Sequence, residues 1–535
     1  MRHGSTSVRP PGGISRRSLL AGGLGALGAT WLAAGCSSSG PASRALPVEA
    51  ATGDPASGGV LRIARPPASD AETLDPASAL SAYEYLGAVY NRLTRIGEDG
   101  SVVADLAEGW EPSPDGTRWT FALRRGVTFH DGRPFTSADA RYTLRHLLDP
   151  DVASPQAGVL APMLEPGGIH TPDPHTLVVD LTRPNAEFPS LLTSYNCYVI
   201  PDGSAEAGGR HIGETGVGTG PFRLESFTPA GRGRVVANPE YWEGRPVLDE
   251  IEFYAIPDTQ ARSNALLAGQ VHLLSQTNLD FATARVINAS DRATIARSVN
   301  SQWYGLPMLC TAEPFTDPSV RQAMKLAYDP QAVLDVALQG AGVIGNDNPV
   351  PPEEPYWTDY RVERDPEHAR FLLRRAGLEG LRLDLHTSAY DPVFTPMALA
   401  FRDSVREAGI TLDVRTAAAE SYFSQIWMQK PLMATYWYTG RPIEQLLNQI
   451  FRGGSSYNET AWADDRFDGL LDEARGEMDA DRRRMLYQDA QRYVVDHGGS
   501  ITPVFADRLV GLSRDVLNYR EHGFEFDYLN IGLRR

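Results

Sequence analysis

The pattern of hydrophobic and polar positions predicts short strands that alternate with amphipathic helices. Apolar residues occupy every second position of Trp119–Leu123, as expected for a half-buried strand, and Val60–Ile63 and Leu177–Leu181 predict further strands. After Thr136 the apolar residues are spaced three or four apart, which is typical of a helix. That helix is predicted to end at Asp149, because a proline follows it.

Several helix starts are marked by residues that cap a helix. Thr136 and Asp139 have the spacing of a capping box. Three further starts are predicted where an aspartate can cap and a proline occupies the first helical position: Asp317-Pro318, Asp329-Pro330 and Asp365-Pro366. Strands and helices then alternate over residues 315–415, which predicts an α/β lobe. Two final long helices are predicted near 463–476 and 480–496.

The N-terminus has the features of an export signal. Arg16 and Arg17 precede a mostly apolar run over residues 19–32 that is too short to span a membrane comfortably. The paired arginines resemble a twin-arginine signal, and the small residues before Cys36 resemble a lipoprotein processing site. Residues 1–35 are therefore interpreted as a signal peptide of the twin-arginine lipoprotein type. Residues 36–59 are interpreted as a flexible tether. The alternative is an ordinary secretory signal, with Cys36 unmodified.

Composition bounds the size and the partners of the protein. The chain has 535 residues, which is too long for one compact core, so two or three lobes are expected. Its formal net charge of −17 disfavours nucleic acid as a partner. Three cysteines exclude a disulfide-based scaffold, and Cys197 and Cys310 are either free or paired with each other.

The motifs that would indicate an enzyme are missing from the sequence. The glycines of Gly216–Gly220 precede Pro221 and no helix start, so they do not form a phosphate-binding loop. The histidines are scattered, and no nucleophile-elbow serine or zinc-binding helix motif occurs. We therefore predict no catalytic residue, no metal site and no cofactor. A secreted hydrolase is the least favoured alternative.

Several segments, in order along the chain, resemble the large solute-binding proteins of ATP-binding-cassette importers. This is family 5 of the extracellular solute-binding proteins, whose members bind peptides, nickel chelates and related solutes. The resemblance lies in these segments: Thr73–Ala77, Tyr90–Leu93, Leu106–Trp110, Gly126–Asp139, Gly218–Phe222, Asn238–Trp242, Pro314–Ala323 and Ile501–Phe505. Together they follow the family's order, and the resemblance spans residues 60–535.

The resemblance implies an α/β, two-lobed periplasmic-binding-protein fold of the class II-like kind, type C, whose lobes close on a ligand. Lobe I would comprise residues 60–92, 210–297 and 500–535, and two strands would cross between the lobes. An extra subdomain of lobe I would comprise residues 93–209, and lobe II residues 298–499.

Two aromatic stretches are the candidates for the ligand pocket, because aromatic side chains offer large contact areas with polar tips. The candidate ligand-binding residues are Tyr83, Glu84, Tyr85, Tyr436, Trp437, Tyr438, Thr439 and Arg441. The alternative for each stretch is packing in a hydrophobic core. By the resemblance, Tyr438 lies where peptide-binding members carry an aspartate that holds the ammonium group of the ligand. A phenol does not supply that charge, although Glu84 could compensate.

These observations together predict a monomeric, lipid-anchored, extracytoplasmic protein that captures a peptide or peptide-like solute and delivers it to an ABC permease. No nucleic acid is expected as a partner. The alternatives are a non-peptide ligand, such as an opine, a glycoside or a metal chelate, and a sensory receptor of the same fold.

Overall fold

The computed structural model describes residues 50–67, 72–79, 81–97, 100–205, 211–277, 279–522 and 525–534. The predicted signal peptide, Cys36 and the first part of the tether lie outside these ranges. Within them, no helix has the length and apolar character that crossing a membrane requires.

The described strands, in chain order, are β1 Val60–Arg65, β2 Thr94–Ile96, β3 Val102–Ala104, β4 Ala107–Pro112, β5 Arg118–Leu123, β6 Leu164–Asp173, β7 Thr176–Leu181, β8 Phe222–Phe227, β9 Arg232–Ala237, β10 Glu250–Ala255, β11 Leu273–Leu274, β12 Ala293–Pro307, β13 Gly342–Ile344, β14 Arg382–Ser388, β15 Thr411–Ala417, β16 Thr435–Tyr438, β17 Ser500–Ser513, β18 Val516–Leu517, β19 Glu521–His522, β20 Glu525–Phe526 and β21 Gly532–Leu533.

The described α-helices are α1 Tyr83–Val89, α2 Ser137–Leu148, α3 Ala157–Leu160, α4 Phe188–Leu191, α5 Ile212–Thr215, α6 Thr259–Leu267, α7 Phe281–Asn288, α8 Pro318–Ala327, α9 Pro330–Ala337, α10 Pro366–Arg375, α11 Phe394–Val405, α12 Ile443–Ile450, α13 Asp465–Gly476 and α14 Ala480–His497. Short 3-10 turns cover Tyr195–Cys197, Arg406–Ala408 and Ala419–Ser421, and a π-helical turn covers Tyr422–Ile426.

Two long antiparallel strands, β12 and β17, connect the parts of the largest sheet. The strand order of this sheet is β16-β12-β17-β11-β1-β10-β9-β8. Ala296 of β12 and Val510 of β17 belong to one hydrophobic core. Tyr304 and Val504, further along the same strands, belong to another. The register of the pair shifts between Ser298 and Gln302, so the regular pairing of the two strands is interrupted there. The strands therefore pass from one core to the next through an irregular segment.

The predicted helix starts are confirmed. Asp317 accepts a hydrogen bond from the amide of Ser319, Asp329 caps α9 in the same way, and Asp365 caps α10. A proline follows each aspartate at the first helical position, where its missing N–H is not needed. The two final long helices are found as α13 and α14.

The predicted α/β alternation is confirmed by β14 and β15. These strands pair in parallel, and α11 lies between them in the chain and contacts both strands. Leu385 of β14, Leu412 of β15 and Phe401 of α11 are buried in one core. Parallel strands need such a crossover, so the sequence order fixes this part of the topology.

A separate four-stranded antiparallel sheet, in the order β4-β5-β7-β6, packs against α2. We call this sheet with α2 and α4 the four-stranded layer. Phe121 of β5 and Leu144 of α2 are buried in its own core. Thr136 and Asp139 form the predicted capping box at the start of α2, and the helix ends before Asp149 as predicted.

The structure corrects one interpretation of a glycine. Gly126 and Gly132 adopt positive φ angles of 76° and 87°, as their turns require. The resemblance implies that Gly220 also serves a turn, but Gly220 has no positive φ. A Cβ atom there would lie 2.5 Å from the carbonyl carbon of Val89, so this glycine is needed for close approach to the end of α1.

Candidate ligand-binding site

The second aromatic stretch forms β16, which pairs antiparallel with β12. Tyr436 lies opposite Tyr304, and their ring centroids are 6.1 Å apart. Because side chains alternate along a strand, Tyr436 and Tyr438 share one face and Trp437 lies on the other. Trp437 packs against the core that contains Trp303.

The face of β16 that carries Tyr436 and Tyr438 is lined with aromatic rings. The two rings meet edge to face at 5.4 Å, and Tyr390 stacks on Tyr436 at 6.3 Å. The guanidinium of Arg508, from β17, lies 5.8 Å from the centre of the Tyr438 ring. This face therefore offers flat apolar surfaces together with hydroxyl groups.

Arg441 follows β16 and turns back over it. Its Nη1 donates a hydrogen bond of 2.6 Å to the carbonyl oxygen of Tyr438, and its guanidinium lies 5.5 Å from the Trp437 ring. Burial lowers the pKa of the guanidinium, and the nearby phenols of Tyr195, Tyr83, Tyr457 and Tyr438 act in the opposite direction. An arginine remains charged despite such a shift.

No carboxylate of the described residues forms an ion pair with Arg441. Buried charges in proteins are usually paired, because an isolated one loses its hydration without compensation. The tyrosines around the guanidinium supply only neutral oxygen atoms. Among the described residues, no negative charge therefore compensates the guanidinium of Arg441.

Tyr83 reaches the same place from another part of the chain. It is the first residue of α1, and its ring meets that of Tyr195 edge to face at 4.8 Å. Burial raises the pKa of the Tyr83 phenol, as does Tyr195, and Tyr438 and Arg441 are among the other groups that influence it. Residues far apart in sequence thus converge on Arg441. We call Tyr83, Tyr195, Tyr438 and Tyr457 the tyrosine cluster.

Glu84 and Tyr85 are placed in the interior instead. Glu84 is 2% exposed, and its carboxylate accepts a hydrogen bond of 2.7 Å from Ser275. Tyr85 is completely buried, with its ring 4.1 Å from that of Phe253 and 5.3 Å from the guanidinium of Arg65. For these two residues the geometry matches the alternative of core packing, and the proposal of Glu84 as an ammonium anchor gains no support.

Thr439 holds the end of β16 in place. Its amide donates to the carbonyl oxygen of Ser301 and its hydroxyl to that of Asn300, each at 2.9 Å. Both acceptors lie in the irregular segment of β12. Thr439 therefore connects the candidate site to the strands that run between the two cores.

Sequence reasoning missed several residues of the site. Tyr195 lies in the turn Tyr195–Cys197 that follows α4. The side-chain amide of Asn196 fixes this turn by donating to the carbonyl oxygens of Pro76 and Ala79. Tyr457 lies 6.0 Å from Trp437, measured between ring centroids. Neither belongs to a periodic pattern, so only the tertiary fold shows that they approach Arg441.

Two buried carboxyl groups lie behind the aromatic face. Asp391 is 1% exposed and accepts a hydrogen bond of 3.2 Å from the Tyr304 hydroxyl. Glu459 accepts hydrogen bonds of 2.5 Å from the indole of Trp427 and the hydroxyl of Thr435, and burial raises its pKa to about 7. Both carboxyl groups accept hydrogen bonds from side chains that support β16.

Within the described ranges, no three histidine, cysteine, aspartate or glutamate side chains are grouped so as to hold a metal ion. Cys197 and Cys310 are both free thiols, which decides between the two alternatives that the sequence left open.

The fold is that of a two-lobed binding protein, and the aromatic rings and the arginine of the candidate site come together where separate hydrophobic cores meet. The chain belongs to family 5 of the bacterial extracellular solute-binding proteins. The model of this family, described as family 5 Middle, matches residues 101–458. The predicted family and fold class are confirmed. The protein is a substrate-binding component of an ABC import system.

Similar proteins include the glutathione-binding protein GsiB of Salmonella typhimurium, which is 27% identical over 483 residues that cover 86% of this chain and 92% of GsiB. The di/tripeptide-binding protein 1 of Pseudomonas aeruginosa is 27% identical over 80% of this chain and 86% of its own length. Among solved structures, the periplasmic binding protein DppA of Helicobacter pylori, in complex with the peptide STSA, has a TM-score of 0.75. It is 21% identical, and the match covers 90% of this chain and 99% of DppA.

Proposed function

We propose that this protein captures a peptide or peptide-like solute outside the cytoplasm by a carboxylate group that Arg441 holds, and delivers it to an ABC permease. The observation that carries the proposal is the partly buried guanidinium of Arg441, which has no carboxylate partner among the described residues. A peptide ends in a carboxylate, and the planar guanidinium matches a carboxylate with two parallel hydrogen bonds. The relatives named for glutathione and for di- and tripeptides support this ligand class.

The mechanism we propose is closure of two lobes around the ligand. Lobe I would comprise residues 60–92, 210–297 and 500–535, its extra subdomain residues 93–209, and lobe II residues 298–499. Tyr83 and Tyr195 would then approach the ligand from lobe I, and Tyr438, Tyr457 and Arg441 from lobe II. A ligand that touches both sides binds the closed form better than the open form and so shifts the equilibrium toward it. The protein performs no chemistry on its ligand.

The amino end of the ligand has a weaker attachment in this proposal. Tyr438 stands where an aspartate would hold an ammonium group, and Glu84 is occupied by Ser275 in the interior. Trp437 contacts Arg441 from the other face of β16. We therefore propose that the preferred ligand carries an apolar or ring-shaped part and either a blocked amino group or none.

The proposed function is tested by identifying the solute and by measuring affinities. Mass spectrometry of the purified chain after denaturation should release a peptide or peptide-like acid. Calorimetric titration with di- to pentapeptides, each also N-acetylated and C-amidated, should show that amidation weakens binding strongly while acetylation does not. Submicromolar binding that acetylation abolishes would contradict the proposed anchor. Release of a glycoside or a metal chelate would contradict the ligand class.

The aromatic contact proposed for Tyr438 predicts a loss of affinity. Replacing Tyr438 with alanine should weaken binding of the best titrated peptide by about 1–3 kcal/mol, because a ring that stacks on the ligand is lost. Thermal unfolding should change little, since the side chain is only partly buried. Val343→Ala, at an exposed position of another short strand of the same sheet, serves as the control. Lower stability with unchanged affinity per folded molecule would show that Tyr438 is a packing residue.

We further propose that the chain is exported by the twin-arginine route and anchored through Cys36. Acylation with more than one chain gives stable membrane residence, at about 0.8 kcal/mol per buried CH₂ group. Cys36→Ser should therefore move the protein from the membrane fraction to the soluble fraction, which immunoblotting of the fractions measures. Ser37→Ala, next to it, is the matched control and should leave the protein in the membrane fraction. Equal partition of the Cys36→Ser variant and the wild type would contradict the anchor.

A further inference from the structure

A loop of the four-stranded layer contacts the helices behind the candidate site. The loop precedes α4 and is fixed within its own layer: the amide of Asn185 donates to the carbonyl oxygen of Gly116 at 3.0 Å, and the indole of Trp119 donates to the carbonyl oxygen of Asn185 at 3.0 Å. Asn185 is completely buried. The loop is therefore a rigid part of the layer, and what it touches outside the layer depends on how the two parts meet.

The next two residues of the loop, Ala186 and Glu187, contact residues outside the four-stranded layer. The amide of Ala186 donates a hydrogen bond of 2.7 Å to the carbonyl oxygen of Arg475, at the end of α13. The carboxylate of Glu187 accepts a hydrogen bond from the hydroxyl of Tyr356 and lies 3.5 Å from Nε of Arg483, on α14. Consecutive residues thus have partners in opposite parts of the molecule.

The residues that Ala186 and Glu187 contact are themselves held in place by further interactions. Nε of Arg483 also donates to the Tyr356 hydroxyl at 3.1 Å, so both partners of Glu187 are joined to each other. Arg475 is held by a buried ion pair of 2.7 Å with Glu444 of α12. Tyr487 and the apolar residues of α12, α13 and α14 form a core distinct from that of the four-stranded layer. A polar contact thus joins two independently packed cores.

We infer that the contact of Ala186 and Glu187 with Arg475, Tyr356 and Arg483 is a latch that holds the closed arrangement of the two lobes. Contacts between domains that must separate are more polar than domain cores, since their groups can return to water. Side chains of Glu187 and Arg483 are 13% exposed, so opening would hydrate both. The latch shares no residue with the tyrosine cluster, and it acts on the lifetime of the closed form whatever the ligand is.

Hydrogen exchange of the full-length protein tests the latch without any ligand. The amide of Asn185 bonds within its own layer and that of Ala186 bonds across the latch, so adjacent amides report different events. In Glu187→Ala, and in Tyr356→Phe on the opposite side, exchange at Ala186 should rise about 10-fold, which corresponds to losing a hydrogen bond to a charged group. Exchange at Asn185 should not change. Small-angle scattering should show a larger radius of gyration.

Asp131→Ala is the matched control, because it removes an exposed ion pair with Arg133 in the same part of the chain. It should leave both amides and the radius of gyration unchanged. Unchanged exchange at Ala186 in both variants would overturn the latch. So would faster exchange at Asn185 and Ala186 alike, which indicates unfolding of the layer. Faster exchange at Ala186 with an unchanged radius of gyration would reduce the contact to a local one and also overturn the inference.

Discussion

Arg441→Gln should reduce the affinity for the best-binding unmodified peptide by about 30-fold or more. Removing one partner of a buried, hydrogen-bonded charge pair costs about 2–5 kcal/mol, since the other charge is left buried and unpaired. The glutamine preserves part of the side-chain length and its ability to donate one hydrogen bond to the Tyr438 carbonyl oxygen. The affinity of Arg441→Lys should lie between those of the wild type and Arg441→Gln, because an ammonium group keeps the charge but not the planar pair of donors. Calorimetric titration of the three proteins measures the series.

The C-amidated peptide provides the control for this series. If Arg441 holds a carboxylate, the amide should bind weakly to the wild type and lose little more in Arg441→Gln. The two changes are then non-additive, as expected for groups in direct contact. Arg374→Gln, at an exposed position of α10, should change neither affinity. Equal losses for acid and amide on replacing Arg441 would contradict a carboxylate contact and leave the arginine a role in shaping the site.

Local chemistry determined the parts of the fold that could be predicted from the sequence. An aspartate followed by proline has both a cap acceptor and a fixed φ, and Asp317 and Asp365 mark helix starts whatever surrounds them. The parallel pair β14 and β15 followed from strand-helix-strand alternation. The register shift near Ser298 could not be predicted in this way, because it arises from how two distant strands meet.

The residues of the candidate site that are consecutive in the sequence could be predicted, and those that come from distant parts of the chain could not. The candidate residues of β16 lie in one stretch, so predicting the stretch was enough to find this part of the site. At α1 the same reasoning included Glu84 and Tyr85, although each residue of a helix points about 100° from the one before. Only Tyr83 of that stretch approaches Arg441. Tyr195 and Tyr457 reach the site through tertiary contacts that no local pattern records.

A buried ion pair lies behind α1 and contacts the aromatic ring of Tyr85. Arg65 of β1 and Glu72 form two parallel hydrogen bonds of 2.7 Å, with side chains 3% and 0% exposed. The Glu72 carboxylate also accepts the amide of Ala230 at 2.9 Å. The guanidinium of Arg65 lies against the Tyr85 ring, so this pair supports the helix that begins with Tyr83.

Glu72→Ala should lower the free energy of unfolding by about 3–5 kcal/mol, because it leaves the guanidinium of Arg65 buried without its bidentate partner. Denaturant unfolding followed by circular dichroism, with calorimetry to resolve separate transitions of the lobes, measures the loss. Glu72→Gln should lose less, since the amide oxygen still accepts one hydrogen bond. Asp359→Ala removes an ion pair with Arg361 whose side chains are 51% and 60% exposed, and it should leave stability unchanged. Equal stabilities of Glu72→Ala and Asp359→Ala would show that Arg65 is hydrated in solution and that α1 is held by its apolar contacts alone.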